Sequence, residues 1–126
     1  MIKNNVRLKL DFSKKLDKEI LKIAEPIMDN LIEGSNEFDY KKFSKDFSRL
    51  MMEAVPEEEF RSQLDKLNST TGKIENKREF IGCVRRDTGV TILWVGYFEK
   101  IQGEVLSQLS LDEEENEIKV FGALVN

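Results

Sequence analysis

Cys83, Tyr40 and Tyr97 are the side chains here that could join the carboxylates in nucleophilic or proton-transfer chemistry, because the 126 residues include no histidine. The commonest general base near neutral pH and the commonest metal ligand are therefore both missing. Cys83 is the only cysteine, which excludes an intrachain disulfide and a zinc cluster. Arg85 and Arg86 lie close enough in sequence to favour a thiolate, and the plainer reading against it is an inert buried thiol. For a tyrosine working with a carboxylate, Glu79 and Glu99 are the nearest acids in the strands, but both fall toward strand ends. The plainer reading has both tyrosines packed with their hydroxyls at the surface. The glycine of "GKIENKREF" is isolated and no lysine-serine pair follows another, so the stretch makes no phosphate loop. The sequence predicts no catalytic residue, no metal site and no cofactor.

Composition narrows the partners. Twenty basic residues against 24 acidic ones give a net charge of −4, with the basic residues scattered, so nucleic acid is not an expected partner. There is no run of about 18 apolar residues and no leader-like apolar stretch in "MIKNNVRLKLDFSKK", so no membrane association is expected of the chain as given. That places it in the cytoplasm, or outside it if a leader was removed. The length suits one domain over 1–126 with one sizeable core.

The elements that must position any site read as helices first and strands after. Residues 1–13 alternate Val6, Leu8, Leu10 and Phe12 with polar residues, which predicts an extended arm or short strand. The helical half, 14–72, holds three expected helices. The first, from about 14 to 33, is capped by Ser13, carries the stripe Leu16, Ile20, Ile23, Ala24, Ile27 and Leu31, is kinked or broken at Pro26, and stops at Gly34. The second enters at Asp39 with Phe43, Phe47, Leu50 and Met51 at helical spacing, and the third starts at Pro56 with Phe60, Leu64 and Leu67 inward. From 73 to 126 the period changes to two, with strands near 74–86, 90–100, 104–112 and 117–125 joined by "RDTG", "KIQG" and "DEEEN". Short connectors force antiparallel neighbours, so the expected fold is α+β: three helices packed on a curved four-stranded meander. The acidic run Glu113 to Glu115 reads as a solvated hairpin tip.

"TILWVGYFEK" puts apolar groups on both faces of its strand. Strict alternation sends Val84, Trp94, Phe98, Leu109 and Leu124, among others, under the helices. It leaves Ile81, Cys83, Leu93, Val95, Tyr97, Leu106, Phe121, Ala123 and Val125 on a second face with a charged rim. Contiguous apolar patches beyond a few hundred Å² are rare on monomers, so something should cover that face. A bulge at Gly82 or Gly96 would shift the assignment by one residue.

The element order, with "FDYKKFSKDFSRLM", "LNSTTGKI", "TILWVGYFEK" and "IKVFGALV", resembles the nuclear transport factor 2-like (cystatin-like) superfamily, in its prokaryotic branch of domains of unknown function. The likeness covers about residues 16–125 and implies a cone-shaped fold with a pocket at its open end and a sheet that often dimerises. Carried over by position, it points to Asp39, Tyr40, Phe43, Phe47, Gly72, Trp94, Phe98 and Gly122, none of them catalytic. Members that isomerise ketosteroids use a carboxylate base with tyrosine and a protonated acid, and no carboxylate of this chain falls at an inward position deep in an apolar strand. The first expectation is a non-catalytic homodimer joined through Leu93, Val95, Tyr97, Leu106, Phe121 and Ala123. The alternative is a small apolar ligand, bound non-catalytically or by a cryptic isomerase, in a pocket near Tyr40, Phe43, Phe47, Trp94 and Phe98.

Overall fold

In the computed structural model, which describes residues 11–126, four helices precede a four-stranded antiparallel sheet. The helices are α1 (Asp17–Asn36), α2 (Tyr40–Phe43), α3 (Arg49–Ala54) and α4 (Glu57–Thr70). The strands are β1 (Glu79–Arg85), β2 (Val90–Gly96), β3 (Val105–Glu114) and β4 (Glu117–Val125), in the spatial order β1-β2-β3-β4. The sheet is open, and this is an α+β meander. The arm expected over 1–13 lies outside the described residues except at its end, where Phe12–Lys14 form a 3-10 turn capped by Asp11.

α1 starts later than Ser13 predicts. Its N-terminal flank is Leu16, which has no acceptor of its own; Glu19 accepts a hydrogen bond from the Leu16 N–H at 2.8 Å instead. Leu16 consequently points away from the stripe and is exposed, while Ile20, Ala24, Met28, Leu31 and Ile32 are buried. The larger of these, Ile20, Met28, Leu31 and Ile32, contribute roughly 1.5–3 kcal/mol each, which carries the helix through Pro26 without a break. Nor does the helix stop at Gly34. A Cβ there would lie 2.6 Å from the Phe43 backbone nitrogen, so this glycine marks a close crossing of α1 and α2, and the helix ends two residues on at Asn36.

The second expected helix is two. Phe47 leaves helical geometry to form a parallel bridge with Val120, and the backbone of Asp46 and Ser48 bonds Val120 on both sides, at 2.7 and 2.9 Å. Ser48 then caps α3, its hydroxyl accepting from the Met51 N–H at 3.1 Å. The acidic hairpin tip docks on this helix start: Glu114 accepts from the Arg49 N–H at 3.2 Å and Glu115 pairs with the Arg49 guanidinium. Glu115 and Asn116, both at positive φ, make the two-residue turn.

Two bulges correct the assignment of faces. The first lies between Phe80 and Gly82, and the second leaves Phe121 without an opposite residue, since Ser110 faces Gly122 and Leu111 faces Val120. Cys83, Ala123 and Val125 therefore pack on the helix-covered core, and Val84 and Leu124 move to the outer face beside Leu93, Val95 and Leu106. Gly34→Ala is expected to destabilise the fold by about 1–3 kcal/mol in urea unfolding, as overpacking against backbone outweighs the better helix propensity of alanine.

Candidate functional site

α4 stands off from the sheet. Its Phe60 and Leu64, with Phe98 just past β2, are buried but do not join the contiguous core. Between them and that core lies a cavity of about 390 Å³. Met28, Leu31 and Ile32 of α1 form one wall, Phe60, Leu64 and Leu67 of α4 the opposite one, and Ala123 and Val125 at the end of β4 the floor. Apart from Ser35, Gln63 and Lys66 the lining is apolar, within the size range of small-molecule sites.

Local chemistry holds the frame open. Asn36 fixes the chain entering the sheet, donating to the Ile74 carbonyl at 2.8 Å and accepting from its N–H at 3.1 Å. Phe43 packs on Phe60 at 4.6 Å between ring centroids and on Phe47 at 5.2 Å, and Tyr40 packs on Phe60 at 5.4 Å. The Tyr40 hydroxyl donates to the Val55 carbonyl at 2.7 Å, tying α2 to the segment that leads into α4. α4 is thus anchored at its start by an aromatic cluster, with the cavity along its length.

Of the residues the sequence points to, Phe43 and Phe98 line the cavity. Tyr40 stands behind Phe60, Phe47 is bound to β4, and Trp94 lies in the main core with Met28, Leu31 and Ile32 but does not line the cavity. Trp94 is fully buried, and the Arg78 guanidinium lies over its ring at 5.3 Å, forms ion pairs with Glu25 and with Asp29 (2.8 Å), and is itself almost entirely buried. The indole N–H donates to Glu25 at 3.3 Å. Arg78 is therefore a clamp between α1 and the sheet. The α4 lining residues read in sequence as an ordinary core stripe, and no local signal separates the wall of a cavity from a filled interior.

On the outer face, Leu93 and Val95 are half-buried, while Val84, Leu106 and Leu124 are exposed. Tyr97 continues the outward alternation past β2, with the Lys77 amine 5.7 Å from its ring centroid. Desolvation, and then the charges of Glu79, Glu104 and Glu75, push its pKa above the usual tyrosine value. Ala123 faces inward, and Phe121 is the residue the bulge leaves over. Cys83 is half-buried; burial pushes its thiol up and Asp17 adds to the shift, which opposes thiolate formation although Arg85 acts the other way. Among the described residues no group of three or more cysteines or carboxylates could hold a metal ion, and no helix is long and apolar enough to cross a membrane.

No family model matches the chain, and no curated protein matches it. Arg78→Ala is expected to cost about 1–3 kcal/mol and to shift the emission of the single tryptophan to longer wavelength as its ring is uncovered, measured by fluorescence before and during urea unfolding.

Proposed function

We propose that this domain binds a small apolar molecule in the cavity between α1, α4 and the end of β4. The observation that carries the reading is the unfilled apolar volume of about 390 Å³, bounded by buried side chains from both halves of the chain. A hollow of that size leaves apolar lining against water, and an apolar ligand that displaces the water is favoured there. The likeness to the nuclear transport factor 2-like cone, in which the open end commonly makes a pocket, supports the same reading. The lining residues include no carboxylate, histidine or cysteine beside the Ser35 hydroxyl and the Lys66 amine, and binding without catalysis is the function proposed.

A fluorescence titration with the neutral probe N-phenyl-naphthylamine tests it. Saturable, single-site enhancement is expected, and Leu64→Trp, which fills the cavity from α4, abolishes it while cooperative thermal unfolding persists. Absence of saturable binding to the wild-type protein overturns the reading.

The outer face supports a second reading, a homodimer through the sheet, because Val84, Leu106 and Leu124 are exposed around the half-buried Leu93 and Val95. Light scattering over a dilution series is then expected to give twice the 14.7 kDa chain mass, and Val95→Asp to halve it by placing an unpaired charge in the contact. A wild-type monomer at micromolar concentration ends that reading.

A further inference from the structure

We infer that the cavity takes a single-chain amphiphile with a singly charged anionic head, its apolar part lying among Phe60, Leu64 and Phe98 and its head at the Lys66 ammonium. The inference rests on the pocket reading above. Three lining residues bring polar side chains, Ser35, Gln63 and Lys66, and they differ in what they have left to offer. The Gln63 amide already donates to Glu59 at 3.2 Å. Ser35 is a buried hydroxyl on the α1 wall.

Lys66 differs from both. Its backbone is held by the last turn of α4, where the Ser69 and Thr70 hydroxyls each donate to its carbonyl at 2.9 Å. Its helical neighbours three and four residues away are Ser62, Gln63, Ser69 and Thr70, and none is acidic. Its ammonium has no ion-pair partner among the described residues, whereas Arg61 one turn earlier is neutralised by Glu57 at 2.7 Å. A lysine lays its methylene stem along apolar surface and keeps its charge in water. Here that places one uncompensated positive charge beside an apolar hollow, on a chain whose net charge is −4. A neutral ligand would gain nothing from the charge. A multiply charged head would find one cation where it needs several, which leaves a carboxylate at the end of an apolar chain as the fitting class.

Isothermal titration with decanoate and with decanol, at low salt and pH 8, reads the head group against a constant tail. The wild-type protein is expected to bind decanoate about three- to fivefold more tightly than decanol, the range of a solvent-facing ion pair. Lys66→Gln is expected to bring the two affinities together, and Lys41→Gln, on an exposed lysine of α2, to preserve the preference. Equal binding by the wild-type protein, or a preference that survives Lys66→Gln, overturns the head-group assignment while leaving the pocket standing. If neither compound binds, this inference falls, and the titration with N-phenyl-naphthylamine shows whether the pocket reading falls with it.

Discussion

The guanidinium of Arg78 lies over the ring of Trp94 and reaches up to Glu25 and Asp29, and the placement of α1 on the sheet depends on that stack. The arginine precedes β1, the tryptophan sits in β2, and the two carboxylates belong to consecutive turns of α1, so one side chain ties together three segments distant in sequence. A charge buried this deeply persists because its plane rests on an aromatic surface and its two terminal nitrogens meet carboxylates and the carbonyls of Glu25 and Asn76, which leaves Nε alone without a partner. With α1 fixed near its middle, its last two turns extend over the end of the sheet, where they form one wall of the cavity.

Period-two alternation made the strands legible, and the order of helices before strands made the fold class legible. What alternation could not carry was its own interruption. Gly82 announced the first bulge as a residue suited to irregular backbone, yet at Phe121 nothing in the run "IKVFGALV" distinguishes a bulged residue from a paired one. That single insertion turned Ala123 and Val125 inward and Leu124 outward, the change that gives the cavity its floor. The break in the second helix was hidden for a related reason. Phe43, Phe47, Leu50 and Met51 fit a helical stripe, and only the tertiary bond to Val120 removes Phe47 from it.

The candidate site was half legible. Phe43 and Phe98 were named because the resemblance carried their positions over, and both line the cavity, whereas Leu64, Leu67 and Lys66 were not, because a helix over a hollow and a helix over a packed core are written with the same residues. Composition reports what wants to leave water and is silent on whether anything meets it there. Lys66 shows how a sequence can still speak to such a place, since a cation without an acid one turn away on either side is visible in the letters alone.

The hollow beneath α4 also has a thermal meaning. It opens to solvent, so its apolar lining is surface that folding leaves wet. Peeling α4 from the core therefore exposes less new apolar surface than peeling a helix from a filled interior, and raises the heat capacity by less. The layer across the hollow, where α4 meets the core through aromatic rings at one end, is the part that opens first on warming.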